Sequence, residues 1–341
     1  MSGLDNAVLE LSSRAERGIR SPLARCGSLA PVGMTIYWGQ VPPVPGREGQ
    51  LTAQKFNPKL KSSPAQSSPP PVARCSLWLH ELKSRVFRNT RTLRVWLPPE
   101  YDGWRDTRYP VLYLNDGQNL FEATTAFAGV HWQVGETASR LISEKKIAPL
   151  IIVGIDNTGR NRVREYIPYR SADPRVIGPQ GKRYPDFLLR EVMPLVEKYY
   201  SVAKGPENTG LGGSSLGGLI TLYTQLAMPG VFGRLLIESP SLFVANRRIL
   251  EECRTFRDWP FRVCLGMGTQ EAGQAEKDEK IVNDARELGT ILRAAGLDKR
   301  RLKMQIEEGA AHNESAWAAR FPAALEFLYS SPGSQGREPQ S

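Results

Sequence analysis

The chain has 341 residues, of which 40% are hydrophobic and 23% charged, a composition that supports a substantial buried core. The formal net charge is +10, but residues 1–79 contain nine Lys/Arg and four Asp/Glu, so half of the excess lies in that segment. The remainder has no dense basic cluster interleaved with aromatic residues, and no apolar run reaches the roughly 18 residues of a membrane-spanning helix. We therefore expect neither a nucleic-acid partner nor a membrane span.

The cysteine pattern argues against a zinc site and against a disulfide framework. The four cysteines are Cys26, Cys75, Cys253 and Cys264, and no pair has the CxxC spacing of a zinc ligand set. We therefore expect reduced thiols in a reducing compartment, with a disulfide between Cys26 and Cys75 as the open alternative. The N-terminus also lacks the basic-then-apolar order of a secretory signal. We expect a cytoplasmic protein, with organellar targeting by the N-terminal segment as the open alternative.

Composition divides the chain into three parts. Residues 1–75 include the Pro-, Ser- and Gln-rich stretches VPPVPGREGQ and KSSPAQSSPPPVARC, which predict an extended or disordered N-terminal extension. A folded domain is predicted over residues 76–330. Residues 331–341, SPGSQGREPQS, are predicted to be a disordered tail.

Within the domain, short apolar strands alternate with helices. In chain order, the predicted elements are a hairpin of HELKSRVF and TLRVWLPP around the turn NTR, the strands YPVLYLND and LIIVGID, the helix FLLREVMPLVEKYY, the strand GLGGS, the helix LGGLITLYTQLAM, the strands RLLIES and FRVCLGM, the helix EKIVNDARELGTILRAAG, the strand RLKMQIEE and the helix SAWAARFPAALEFLY. This alternation predicts an α/β fold. We expect a mostly parallel central sheet, an antiparallel hairpin at its N-terminal edge, and helices on both faces.

The stretch GGSSLGGL contains the spacing G-x-S-x-G between a predicted strand and a predicted helix. That context is typical of a nucleophile elbow, a strained turn that lifts a serine hydroxyl above the sheet, and the spacing selects Ser215. The helix dipole and the free N–H of Leu216 favour negative charge at this point. The alternatives are a phosphate-binding loop, for which the G-K-[ST] of a Walker loop is missing, and a plain tight turn.

A serine nucleophile needs a base, and the chain has three histidines. In α/β-hydrolases the order along the chain is serine, acid, histidine, and only His312 follows Ser215. His312 comes four residues after the predicted strand RLKMQIEE, at the edge of the sheet where catalytic groups gather.

The acid that orients the imidazole is expected on the loop after FRVCLGM. Glu271, four residues beyond that predicted strand and among glycines, is the preferred candidate. Asp278 and Asp284 are the main alternatives, followed by Glu276 and Glu279. All four fall on or near the next predicted helix, where charges are more often solvated.

The second donor to a developing oxyanion is expected from the loop DGQNLF. We pair the backbone N–H of Gln118 with that of Leu216. Asp116, in the same loop, has no cluster of His or Asp around it in sequence, so we assign it a structural role and expect no metal and no organic cofactor.

These motifs together resemble the putative-esterase family of α/β-hydrolases. That family includes enterochelin-esterase-like proteins, S-formylglutathione hydrolases, feruloyl and acetylxylan esterases and mycolyltransferases. TLRVWLPPEYD, VLYLNDGQNLF, IIVGIDN, REYIP, GGSSLGGL, ESPSLF, GTQE and HNESAWAARF follow in the family's order, over about residues 80–330. The resemblance implies the α/β-hydrolase fold and the triad Ser215, Glu271 and His312. It also implies the oxyanion pair Gln118 and Leu216. With a glutamate rather than an aspartate as the triad acid, the chain resembles the enterochelin-esterase and mycolyltransferase branches of the family.

Residues that could line the substrate site are less constrained. Trp132, Phe243 and Trp317 lie beside the proposed loops, as walls of an acyl or sugar site or as ordinary core packing. Arg164, in VREYIP, either meets an acidic substrate group or forms a structural ion pair.

The sequence therefore predicts a serine esterase that acts on a small-molecule carboxylic ester through an acyl-enzyme intermediate. One alternative is an acyltransferase that passes the acyl group to a sugar or lipid hydroxyl. The other is a non-catalytic binding module with the same fold. The oligomeric state is not predicted.

Overall fold

The computed structural model describes residues 34–38, 75–103, 106–171 and 176–330, and for 34–38 only the backbone. The predicted tail 331–341 and most of the predicted extension 1–75 lie outside the described residues. Met34–Trp38 forms a strand within the segment predicted to be extended or disordered.

The described strands form one nine-stranded sheet in the order β1-β2-β3-β5-β4-β6-β7-β8-β9. Their bounds are β1 Met34–Trp38, β2 Cys75–Ser84, β3 Asn89–Leu97, β4 Val111–Asn115, β5 Ile151–Ile155, β6 Thr209–Ser214, β7 Arg234–Glu238, β8 Arg262–Gln270 and β9 Leu302–Ala311. β3 runs antiparallel to both of its neighbours, and all other neighbouring pairs are parallel. The predicted parallel sheet with an antiparallel hairpin is confirmed, but β1 rather than the hairpin forms the described edge.

Helices connect the parallel strands. They are α1 Val134–Ser143, α2 Arg162–Tyr166, α3 Tyr184–Phe187, α4 Met193–Tyr199, α5 Leu216–Ala227, α6 Val244–Thr255, α7 Ala275–Ala294 and α8 Glu314–Tyr329, with a π-helical turn Leu188–Val192 joining α3 to α4. Short 3₁₀ turns occur at Gly117–Asn119, Phe127–Gly129, Gly159–Asn161, Gly181–Arg183 and Pro206–Asn208. None of the helices in the described part of the chain has the length and apolar run needed to cross a bilayer.

Side chains on alternate strand positions enter two different cores. In β4, Val111 and Tyr113 pack with the helices α2 to α7, whereas Leu112 and Leu114 pack with α1 and α8. Because both faces are covered, all five residues of β4 are buried, and so are those of β5. This is why these strands are continuous apolar runs in the sequence.

The hairpin turn lies elsewhere than predicted. Asn89 pairs with Ser84 and belongs to β3, so the turn consists of residues 85–88 rather than NTR. The Glu191 carboxylate accepts the hydroxyl of Ser84 at 2.5 Å and the N–H groups of Arg85 and Val86 at 2.7 and 2.9 Å. Glu191 is more than a hundred residues away from the turn in sequence, so the local residues of the turn could not predict this contact.

Close packing of the sheet around β6 predicts the cost of one methyl group. An alanine Cβ at Gly212 would lie 2.7 Å from Leu236 Cβ and 3.0 Å from Leu114 Cδ2, on the two neighbouring strands. Gly212→Ala is therefore expected to lower the free energy of unfolding by about 1–3 kcal/mol, measured by chemical denaturation.

Gly289→Ala is the matched control. Gly289 lies in α7, and its added Cβ would meet the flexible end of Met304 at 2.5 Å. Since alanine also favours the helix over glycine, this variant is expected to keep or increase stability. Equal stability of Gly212→Ala and the wild-type chain would contradict the packing described here.

Candidate active site

Ser215 occupies a strained backbone conformation between β6 and α5. Its φ of 58° and ψ of −124° lie outside the regions that side-chain-bearing residues prefer. Its N–H donates to the Glu238 carbonyl of β7 at 2.9 Å, and its own carbonyl accepts from Ser241 at 3.1 Å. These bonds, with the start of α5, hold the serine at the helix N-terminus, as the G-x-S-x-G spacing predicts.

The glycines on either side of Ser215 allow the loop after β4 to approach. A Cβ on Gly213 would lie 2.9 Å from Asn115 Cβ, and one on Gly217 would lie 3.1 Å from an Asp116 carboxylate oxygen. The Asn115 side chain donates to the Gly217 carbonyl at 3.0 Å. The predicted oxyanion loop therefore packs directly against the first turn of α5.

Glu271 and His312 are in direct contact. His312 Nδ1 lies 2.5 Å from Glu271 Oε2, while Oε1 accepts the Gly268 N–H at 2.6 Å and the Ser239 hydroxyl at 2.7 Å. Burial by itself raises the pKa of Glu271, but the hydrogen bonds from His312, Ser239 and Gly268 outweigh it and hold the pKa below its usual range. The carboxylate is thus kept ionised beside the imidazole.

Strand β8 extends to Gln270, so Glu271 follows it directly rather than four residues beyond. The other candidate acids have different partners. Asp278 accepts the Ala272 N–H at 2.5 Å, and Asp284 pairs with Arg247 at 2.8 Å. Glu276 and Glu279 are exposed on α7. Among these carboxylates, the one that the structure brings to His312 is Glu271.

Two serines that the sequence analysis did not select, Ser239 and Ser241, complete this cluster together with Trp317. Ser239 donates to Glu271 and accepts from Trp317 Nε1 at 3.0 Å. The Trp317 ring also meets the His312 ring edge-on, with centroids 5.0 Å apart. Ser241 places its Oγ 3.4 Å from Ser215 Oγ. Ser239 and Ser241 both lie in ESPSLF, one of the motifs that follow in the family's order. Membership in that motif was the only signal in the sequence that could have pointed to these two serines.

A cationic partner lies beneath the cluster. Arg320, on α8, is buried and donates to Glu238 at 2.8 Å and to Glu307 at 3.0 Å. It also approaches the Ser239 hydroxyl at 3.4 Å. The ends of β7 and β9 are thereby tied to α8, the helix that follows His312.

Polar contacts fix the loop that carries Gln118. Asp116 accepts two bonds of 2.8 Å from Arg162 and one of 2.7 Å from the Asn157 side chain, and the Gln118 side chain accepts the Asn157 N–H at 3.1 Å. Because Gln118 and Leu216 both lie in the first turn of a helical segment, their N–H groups have no partner within that turn. Asp116 is engaged in holding the loop.

The imidazole and the nucleophile are not hydrogen-bonded in this structure. Among the described residues, no hydrogen bond joins His312 to the Ser215 hydroxyl. His80 is bonded to Tyr200 at 2.6 Å, and His131 faces Glu136 at 3.7 Å. His312 is therefore the histidine that belongs to the cluster, through Glu271 and Trp317, and catalytic hydrogen bonds commonly tighten only when substrate binds.

The three aromatic residues considered for the substrate site differ in burial. Trp132 and Trp317 are 2% and 5% exposed and pack on each other with ring centroids 5.8 Å apart. Phe243 is half-buried at the start of α6. Trp132 and Trp317 thus belong to the core, and Phe243 is the one of the three with an accessible surface.

Two further expectations concern charge. Arg164 does not form a structural ion pair with any described carboxylate, and its Nε donates to the Gly178 carbonyl at 2.9 Å. Within the described ranges, no group of three or more His, Cys, Asp or Glu side chains is arranged to hold a metal ion.

Glu314 is a buried carboxyl group between the two halves of the site. It begins α8, is 7% exposed, and accepts from the Asn119 side chain at 3.1 Å. Burial raises the pKa of Glu314 to about 7, against the favourable charges of His312 and Arg162 and with the unfavourable charge of Asp116. The oxyanion loop and the His312 loop are therefore joined by a group that titrates near neutral pH.

This raised pKa predicts a stability difference. The carboxyl group is protonated more readily in the folded chain than in the unfolded one, so folding loses stability as the pH rises from about 4.5 to about 7. Glu314→Gln keeps the acceptor for Asn119 and removes the titration. Relative to this variant, the wild-type melting temperature is expected to fall by at least about 3 °C between pH 5 and pH 8.

The exposed Glu308 provides the control, since Glu308→Gln is expected to follow the wild-type melting curve over the same pH range. If the melting temperatures of the wild-type chain and Glu314→Gln changed with pH in the same way, the raised pKa of Glu314 would be contradicted.

The chain is similar in sequence to several known proteins. The chain is 25% identical over 244 residues to the protein YbbA of Bacillus subtilis, covering 70% of this chain and 92% of that protein. It is 28% identical over 247 residues to the iron(III) enterobactin esterase of Dickeya dadantii, covering 67% of this chain and 49% of that enzyme. The chain thus spans about half the length of the latter.

A solved structure confirms the fold. The siderophore hydrolase EstA of Aspergillus nidulans superposes with a TM-score of 0.58 at 22% identity, over 78% of this chain and 99% of that one. The model of the family described as Putative esterase matches residues 84–328, close to the limits predicted from the motifs. The chain therefore belongs to the putative esterase family, a family of carboxylic ester hydrolases with the α/β-hydrolase fold.

Proposed function

We propose that the chain hydrolyses a carboxylic ester through an acyl-enzyme intermediate, with Ser215 as nucleophile, His312 as base and acid, and Glu271 as the orienting carboxylate. The observation that carries this proposal is the 2.5 Å contact between Glu271 and His312 Nδ1 at the sheet edge where Ser215 stands in its strained turn. The family assignment supports the reaction class, and the geometry supports the residue roles.

In the acylation step, the Ser215 hydroxyl attacks the ester carbonyl while His312 Nε2 takes its proton. The Glu271 carboxylate accepts a hydrogen bond from the Nδ1–H group throughout and stays ionised, which fixes the tautomer and stabilises the imidazolium as it forms. The tetrahedral oxyanion accepts hydrogen bonds from the backbone N–H groups of Gln118 and Leu216. Each such donor contributes about 10²–10³ in turnover in enzymes of this type.

The imidazolium then protonates the leaving alcohol, and the acyl group remains on Ser215. Water enters, gives a proton to His312 and releases the acid by the same route. Every step uses side chains of this chain and water, so the proposed reaction needs neither a metal nor an organic cofactor.

The substrate is a small-molecule ester, and enterochelin-esterase-like chemistry is our first proposal for its class. The support is the similarity to proteins described as an iron(III) enterobactin esterase and a siderophore hydrolase. An endo-1,4-beta-xylanase/feruloyl esterase is also among the relatives, at 27% identity over 150 residues, and makes feruloyl esters the second class to test. We propose Phe243, which is half-buried and lies two residues after Ser241, as an aromatic group that contacts the acyl chain.

Removing the nucleophile tests the proposal directly. Ser215→Ala is expected to lower the turnover number for 4-nitrophenyl butyrate by about 10⁶-fold. Ser214→Ala is the matched control, because it removes the neighbouring hydroxyl and is expected to keep activity within about tenfold. Equal activity of the two variants and the wild-type chain would contradict a serine mechanism.

The same assay, with added acceptor alcohols, separates hydrolysis from acyl transfer. Free acid as the main product supports a hydrolase. A transferred ester as the main product in dilute alcohol would replace the hydrolase proposal with an acyltransferase.

The acid is tested by an isosteric substitution. Glu271→Gln keeps the size of the side chain but removes the charge opposite the imidazolium, so the turnover number is expected to fall about 10²–10⁴-fold. Asp278→Asn retains an acceptor for the Ala272 N–H and is expected to leave turnover within about threefold. The opposite ranking of the two variants would move the role of the acid to Asp278.

A further inference from the structure

A basic cavity of about 380 Å³ lies outside the triad, between the β2–β3 turn, α2 and the 3₁₀ turn Gly181–Arg183. We name it the arginine pocket, after Arg88, Arg164 and Arg183, which contribute to its lining. Neither Ser215 nor His312 lines it. Its volume would admit a phosphate or a small carboxylate with its hydration.

The positive charge of the arginine pocket is not neutralised by the described residues. Arg88, Arg164 and Arg183 form no ion pair with any described carboxylate. Glu165 is the acid in the lining, and its two oxygens are already occupied. One accepts from Asn89 at 2.6 Å and Thr158 at 3.1 Å, and the other accepts from the buried Arg91 at 2.9 Å. The lining therefore carries an excess of guanidinium charge over carboxylate charge.

Two of the guanidinium groups, those of Arg164 and Arg183, are held in position by contacts that leave their charge unpaired by any described carboxylate. Arg164 donates its Nε to the Gly178 carbonyl at 2.9 Å, which leaves its terminal amino groups available. Arg183 lies over the Phe87 ring at 5.7 Å from the centroid. Such contacts reduce the freedom that a guanidinium loses when it binds an anion.

Arg88 adds an independent observation. It has a φ of 57° in the hairpin turn, in the left-handed region that glycine or asparagine adopts with less strain. No described hydrogen bond or ion pair of its side chain compensates for that strain inside the protein. Arg88 is exposed, so its guanidinium is accessible to a ligand from solvent.

Neutral donors complete the lining. The side-chain amides of Asn161 and Gln180 are half-buried, line the pocket, and make no described hydrogen bond. Three arginines and two amide side chains that line one cavity suit the oxygen atoms of a carboxylate or phosphate, which accept several hydrogen bonds at once.

We infer that the arginine pocket binds an oxyanion group, a carboxylate or a phosphate. The anion is either the acidic arm of the ester substrate or a separate small molecule. The pocket is connected to the loop that carries Gln118, because its lining residue Asn161 precedes Arg162, whose guanidinium holds Asp116 beside Gly217 in the first turn of α5. A substrate with an acidic arm could therefore reach from the nucleophile to the arginine pocket. Of the two sources of the anion, only the substrate's arm rests on the proposed function.

Inorganic phosphate is the first probe, used at constant ionic strength with chloride as the balancing anion. The full-length wild-type chain is expected to bind phosphate in calorimetry and to melt at a higher temperature in its presence. Arg88→Gly is expected to weaken phosphate binding by about tenfold while the phosphate-free protein melts at the same or a higher temperature, because the turn strain is relieved. Arg183→Ala is expected to weaken binding similarly.

Arg300→Ala is the matched control, because it removes one exposed positive charge from the turn before β9, at the opposite edge of the sheet. It is expected to bind phosphate as the wild-type chain does. Ser215→Ala is also expected to bind phosphate normally, so this readout is independent of catalysis. Absence of phosphate binding by the wild-type chain, or equal binding by Arg88→Gly, would overturn the inference.

Kinetics then identify the source of the anion. The substrates are 4-nitrophenyl esters of dicarboxylic acids of increasing chain length, with 4-nitrophenyl butyrate as the neutral reference. If Arg88→Gly raises the KM about tenfold for the acidic esters but not for the neutral ester, the pocket binds the acidic arm of the substrate. Unchanged KM values together with weakened phosphate binding assign it to a separate small anion.

Discussion

The contact between Glu271 and His312 is the interaction on which the site depends. A carboxylate that is 1% exposed would ordinarily be protonated, yet here His312, Ser239 and the Gly268 N–H together keep its pKa low. Removing one of these donors would leave the buried carboxylate with less compensation for its charge. Trp317 Nε1 donates a hydrogen bond to the Ser239 hydroxyl and so holds that hydroxyl in position to donate to Glu271.

The parallel sheet explains why these residues meet at all. Ser215, Ser239, Glu271 and His312 follow the ends of β6, β7, β8 and β9, four adjacent strands whose carboxyl ends share one edge. The oxyanion loop follows β4, the neighbour of β6. A side chain placed one residue after a strand thus lands beside its counterpart on the next strand, without any long loop to order. The arginine pocket uses the same edge farther along, where β3 begins.

The sequence predicted those parts of the site that depend on local pattern. Ser215 follows from glycine spacing, because a turn this tight excludes side chains, and His312 follows from being the only histidine after it. The hairpin turn could not be placed, because Glu191 holds it from a distant helix. The role of Ser239 was also invisible, since its partners Glu271 and Trp317 come from two other elements. Helix α6 was not predicted because it buries few residues and three of its first four residues are left-handed.

Covalent trapping of the acyl-enzyme tests the central claim most directly. The wild-type chain and Glu271→Gln are each mixed with a fluorophosphonate or with a rapidly quenched 4-nitrophenyl ester, digested, and mapped by mass spectrometry. The account predicts a single adduct on the peptide that contains Ser215, formed quickly by the wild-type chain and at least about a hundredfold more slowly by Glu271→Gln. An adduct on another residue, or equal rates for the two proteins, would contradict a nucleophile at Ser215 activated through His312 and Glu271.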